Sequence, residues 1–135
     1  MVSIADGVYY AFSYPYRIER FDNSGALQRV ITRKHEAFEA PEAPKAVGGS
    51  IMGADLPNRI SGIGVASNGI VVVQIKMEDK PSVLDFFSPE GKFLQSISLP
   101  DEHRLGAVMG NTLYTYVGGT NEQFASVTKW NLEIN

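Results

Sequence analysis

A chain of 135 residues, 44% hydrophobic and 20% charged, can bury one packed core and leaves little room for a second domain. Its formal charge of -3, with lysines and arginines scattered along the chain, excludes the basic stripe that a nucleic-acid partner would require. The absence of cysteine excludes disulfides, thiolate zinc sites and a cysteine nucleophile.

The first residues, Met1 to Gly7, have no basic region leading into an apolar run, so no signal peptide is expected. The longest apolar stretch, around Gly69 to Val73, is too short to span a bilayer, and no membrane partner is expected. The cytoplasm is the default compartment, although a mature exported chain would read the same way.

In chain order, Asp6-Gly7 opens the run Val8-Tyr9-Tyr10-Ala11-Phe12. Residues 16–33 then run from a strand-like stretch into a four-residue turn closed by Gly25 and on into a second strand. The same phrase returns at 82–99, closed by Gly91, and begins again at Ser126-Val127-Thr128-Lys129-Trp130-Asn131. Glycine at that place supplies a positive φ without steric penalty, as a tight hairpin requires. Asn68-Gly69 and Gly110-Asn111 introduce the β-branched and aromatic runs 70–75 and 112–117. The pattern predicts strands near 2–5, 8–14, 16–22 and 26–32; 60–66, 70–77, 82–88 and 92–98; and 104–109, 112–118 and 124–132.

Spacing separates a repeat from a mere series of hairpins. Phe87 and Trp130 are 43 residues apart, and the Asn68 and Gly110 turns are 42 apart. Phe21 and Phe87 are 66 apart, and the excess matches one long connection, 34–57, containing Pro41, Pro44, Gly48-Gly49 and Pro57. Without it the period is again near 43 residues, inside the range of four-stranded propeller blades. The expected fold class is all-β: antiparallel four-stranded blade repeats at 1–33, 58–99 and 100–135, forming half a β-propeller.

Tyr16 to Ile31, echoed by Val83 to Ile97, carries a resemblance. It resembles the outer hairpin of NHL-type six-bladed β-propellers, in which a strand ends in an aromatic and a polar residue before a glycine turn. The resemblance covers nearly all of the chain and is weakest in 34–57 and at the C-terminus. It implies a blade scaffold and leaves activity open, because such scaffolds serve binding proteins, exported sensors and lactonase or lyase-type enzymes. Two departures stand out: six blades need about twice this length, and the third repeat lacks its outermost strand. An arc of three blades leaves two apolar faces uncovered. A homodimer closing a six-bladed ring is therefore expected. A piece of a longer propeller and a different closed β-barrel are the other readings of the same strands.

Candidate site residues are few. His35 lies near Glu39 and Glu42, and His103 follows Asp101-Glu102; both clusters fall between an outer strand and the next inner one. Their chemistry suits ligand contact or acid–base work, but neither shows metal-ligand spacing, and surface loops are rich in such residues. Tyr10 and Tyr14 belong to a tyrosine cluster of the kind recognition surfaces use. Phe21, Phe87 and Trp130 hold equivalent places and read as packing between blades. Gly62-Ile63-Gly64 lacks the third glycine and the helix of a nucleotide loop, and reads as small residues on a crowded inner strand. No Gly-x-Ser-x-Gly elbow is present to anchor a hydrolase triad. The long connection 34–57, with a short helical turn allowed at 35–40, is the favoured place for function. The expected function is a non-enzymatic binding or protein-interaction module for an unknown small molecule or protein, with no cofactor and no catalytic residue assigned. The alternative is a metal-dependent, lactonase-like hydrolase.

Overall fold

The computed structural model describes residues 1–35, 38, 45–47, 50–52, 58–100, 102–119, 121 and 124–132. Its strands are β1 (Val2–Ile4), β2 (Gly7–Phe12), β3 (Arg17–Asp22), β4 (Leu27–Thr32), β5 (Lys45–Val47), β6 (Ser50–Met52) and β7 (Arg59–Val65). They continue as β8 (Val71–Lys76), β9 (Val83–Phe87), β10 (Phe93–Ser98), β11 (Arg104–Met109), β12 (Thr112–Val117) and β13 (Ser126–Asn131). No α-helix occurs among the described residues.

Three antiparallel sheets follow one another: β1-β2-β3-β4, then β7-β8-β9-β10, then β11-β12-β13, each pairing chain neighbours. The eleven expected strands are all present, with ends within two residues. Among the described residues no strand pair joins one sheet to the next, so the strands do not close into a barrel. The long connection holds one hairpin that the sequence reading lacked, β5-β6, with Val47 opposite Ser50. Of the helical turn allowed at 35–40, one bond is described: Phe38 N–H donates to the His35 carbonyl at 3.0 Å.

The repeated turns close as their residues dictate. Gly25 and Gly91 take φ of 84° and 92°, and donate to the carbonyls of Asp22 and Ser88. The Asp22 carboxylate accepts from Ser24 N, Ser24 Oγ, Ala26 N and Gln28 Nε2, and these bonds hold its pKa below the ordinary value. Ser88 Oγ accepts from Lys92 N at the matching place. A short polar side chain bonded to its own turn backbone is the reason Asp and Ser are favoured there.

Register confirms the equivalence of the three aromatic positions. Phe21 stands opposite Val8, Phe87 opposite Val71, and Trp130 opposite Leu113. The first strands of the three sheets are neighbours, with β7 touching both β1 and β11. Gly64 of β7 explains how closely they approach: a Cβ there would lie 2.4 Å from Val108 Cγ2 of β11. Gly64 is thus a packing requirement, whereas a Cβ at Gly62 would come no nearer than 3.4 Å, to Leu105 Cδ2.

Alternation along each strand gives each sheet two faces, and two seams hold the molecule together. The first seam, between the first and second sheets, buries Tyr9, Tyr16, Ile18, Ile31, Val71, Val73, Ile75 and Phe87. The second, between the second and third sheets, buries Ala66, Ile70, Val72, Leu84, Phe86, Leu99 and Leu113. Since β8 and β9 feed both seams, their residues are almost all buried, which is why Val71 to Ile75 reads as a continuous run.

Candidate functional site

The first seam is closed by aromatic packing and one ionic group. Tyr16 meets Phe38 edge-on with ring centroids 5.2 Å apart, and Phe87 at 6.2 Å. Asp85, on the central strand β9, is fully buried. The Tyr16 hydroxyl donates to Asp85 Oδ2 at 2.8 Å, and Arg33, at the end of β4, forms an ion pair with the same oxygen. The Arg33 guanidinium also lies 3.7 Å from the centre of the Phe93 ring. Burial first, then the Asp85 charge, raises the Tyr16 pKa well above its ordinary value, so the phenol stays protonated. This group is a latch between sheets: its members are packed in and hydrogen-bonded to one another.

Among the described residues the second seam is closed at one end only. At the turn end, Ser67 N donates to the Gly110 carbonyl at 2.8 Å, and Asn111 Oδ1 accepts from Ser67 Oγ at 2.8 Å. Apolar side chains follow, and then the seam turns polar. Gln74, almost fully buried, accepts from Leu105 N at 2.7 Å and so ties β8 to β11. Thr115, fully buried, accepts from Trp130 Nε1 at 2.9 Å, with His103 Nδ1 at 3.2 Å.

Beyond this polar layer the sheets diverge into a groove of about 1070 Å³. Ser61 and Arg59 of β7 and Lys76 of β8 form one wall and His103 and Leu105 the other, while Arg104 and Tyr116 border the groove from strand positions paired on the outer face of the third sheet. The cause lies in the alternation: continuing Val72 along its face of β8 gives Gln74 and then Lys76, replacing apolar side chains by polar and charged ones. A concave site with polar groups on rigid strands is the setting in which ligands are bound.

The expected site residues fall in three places. His103 lies in the groove. Tyr14 and His35 come together in the first seam: Phe38 lies 5.5 Å from Tyr14 and 5.8 Å from His35, and the Tyr14 hydroxyl donates to the Asn58 carbonyl at 3.0 Å. Tyr10 stands on the outer face of the first sheet, 42% exposed, with its ring 4.6 Å from Phe12. Glu39 and Glu42 lie outside the described residues. The two histidines thus belong to different seams. Among the described residues no three His, Asp or Glu side chains are grouped so as to hold a metal ion.

Sequence reading missed Arg59 and Lys76, which stand opposite each other only once the register of β7 on β8 is set. It also missed Asp85, which did carry a signal: a lone acid between Leu84 and Phe86 in a strand otherwise apolar on both faces. Compared with family models, curated proteins and solved structures, the chain gives no significant match.

Proposed function

We propose that the chain is a non-enzymatic binding module whose three sheets are consecutive blades of a propeller of the NHL kind, closed into a six-bladed ring by a second copy. One observation carries this reading: the outer faces of the first and third sheets are the two halves of the seam already repeated inside the molecule. On the first sheet the pairs Val8–Phe21, Tyr10–Glu19 and Phe12–Arg17 stand where the second sheet has Val71–Phe87, Val73–Asp85 and Ile75–Val83. On the third sheet Tyr114 and Val127 stand where the second has Val72 and Leu84, beside exposed Met109. Each open face therefore complements the other in type, and a two-fold axis places both contacts at once.

Light scattering on the purified chain tests the reading. A dimer at twice 14.8 kDa is expected, converted to monomer by Val127→Glu. A well-behaved monomer at 14.8 kDa overturns the ring. A dimer that survives both Val127→Glu and Val8→Glu also overturns it, because the contact would then lie elsewhere.

A further inference from the structure

We infer that the outer edge of β13 accepts one extended strand from another polypeptide, which pairs antiparallel with β13, seats an aromatic side chain on Trp130 and sets an acidic residue opposite Lys129. The inference rests on the reading of the chain as a binding module, names the partner's chemistry, and does not need the ring.

Backbone bonding carries it. In the first and second sheets the fourth strand is introduced by the same contact: Asp22 N–H donates to the Ala26 carbonyl at 2.9 Å, and Ser88 N–H to the Lys92 carbonyl at 2.8 Å. Asn131 holds the matching place in the third sheet, following Trp130 as Asp22 and Ser88 follow Phe21 and Phe87. Leu132 N–H donates to the Asn111 carbonyl at 2.9 Å, so alternation turns the N–H and C=O groups of Val127, Lys129 and Asn131 away from β12. Among the described residues no strand lies on that side. An open row of this kind is a template for one more strand.

The side chains beside the edge say what that strand carries. An apolar groove of about 390 Å³ lies between β10 and β13, lined by Leu84, Leu94, Ile97, Leu113 and Trp130 among others. In the second sheet Phe93, on the fourth strand, rests against Phe87 with ring centroids 5.9 Å apart. Trp130 is the equivalent of Phe87, and it is left partly exposed. An aromatic residue at the Phe93 position of an added strand covers it.

Charge selects the next position. A bulge separates Phe93, opposite Phe87, from Gln95, opposite Phe86, and so places the two on different faces. Lys129 matches Phe86, since it precedes Trp130 as Phe86 precedes Phe87. It is exposed and has no ion-pair partner among the described residues. A carboxylate at the Gln95 position therefore meets an opposite charge directly across the strand pair, whereas a cation there is repelled. The fourth strand of the first sheet would be a poor occupant, because Arg29, opposite Arg20, would face Lys129. Main-chain bonds along the edge supply the affinity, and these two side chains the selection.

The test combines the full chain with synthetic peptides of residues 92–99: the native sequence, and the same peptide with Gln95→Glu, Gln95→Lys or Ile97→Pro. Amide hydrogen exchange of the full chain is expected to slow at Val127, Lys129 and Asn131 when peptide is added. It should change little at Thr128 and Trp130, whose N–H groups already face β12. The Gln95→Glu peptide should bind about fivefold more tightly than the Gln95→Lys peptide, and Lys129→Glu in the chain should reverse that order. Ile97→Pro removes an N–H that the edge must receive and should abolish binding. No slowing with the Gln95→Glu peptide overturns the inference, as does equal binding of the Ile97→Pro peptide or an order of affinities that Lys129→Glu leaves unchanged. If Val127, Lys129 and Asn131 exchange as slowly as Thr128 before any peptide is added, a second copy already holds the edge and the inference also fails. The edge and the outer face of the third sheet are different surfaces, so light scattering on the same samples reports on the ring separately.

Discussion

The two seams are built from the same repeat and have been filled differently. Ile31 and Ile97 occupy matching positions on the last strands of the first and second sheets; Ile31 is 5% exposed and Ile97 42%. The difference is what stands opposite. β4 lies over the second sheet, where a Cβ at Gly91 would fall 3.0 Å from Ile31 Cγ1. Among the described residues the third sheet has no fourth strand for Ile97 to meet. The polar positions diverge as well. Arg33 and Asp85 form the latch of the first seam, while the matching positions one repeat on are Leu99 and Thr128. A repeat fixes the scaffold, and the residues set against each seam decide whether it becomes a sealed joint or a site.

The sharpest way to break that contrast is to truncate the equivalent aromatics. Phe87 is fully buried in the first seam and Trp130 is 38% exposed in the second. Phe87→Ala is expected to lose about 4 kcal/mol, as full removal of a buried ring does, and Trp130→Ala about half as much. Urea denaturation measures both. Equal losses would mean that the seams are energetically alike and the contrast is one of appearance.

Next comes the latch. Asp85→Ala leaves Arg33 without its counter-ion and the buried Tyr16 hydroxyl without an acceptor. Breaking one side of a buried pair costs about 3 kcal/mol. Thr128→Ala, at the matching place in the second seam, should cost less than about 1 kcal/mol. If Asp85→Ala were as mild, the ionic group would be a solvated pair and the first seam would be held by its aromatics alone.

The strands were legible because their signals are local. Asp-Gly, Asn-Gly and the four-residue turns ending in Gly25 and Gly91 each specify a hairpin within a few residues, and a period emerges by comparing them. The β5-β6 hairpin carried its own signal in Gly48-Gly49, a dipeptide suited to a two-residue turn, but its short flanks among Ala and Pro lack β-branched alternation. The groove and the latch were not legible, because each is made by pairing across distance. Arg59 meets Lys76 only once the register of β7 on β8 is set, and Asp85 meets residues 52 and 69 positions away. His103 was singled out for its chemistry, and its neighbours in the groove had no motif to join them to it.

The smallest expected effect is also the most selective, because it belongs to one seam alone. Tyr16 has its pKa raised by burial and by Asp85, whereas Ser82 holds the matching position in the second sheet and titrates nothing. In the unfolded chain Tyr16 ionises near its ordinary value of 10.0, and in the folded chain it remains protonated well above that. Below pH 10 both states hold the proton and the full stability is present. Above pH 10 the unfolded state loses the proton and the folded state keeps it, so stability falls by about 1.4 kcal/mol per pH unit from this residue. The measurement is the difference between the native chain and Tyr16→Phe across pH 9 to 11.5, which isolates this residue. The variant should be less stable at neutral pH, where the Asp85 hydrogen bond is missing, and should lose less with rising pH, so that the two curves converge. Parallel curves would show Tyr16 to be open to solvent, and the first seam would then be as open as the second.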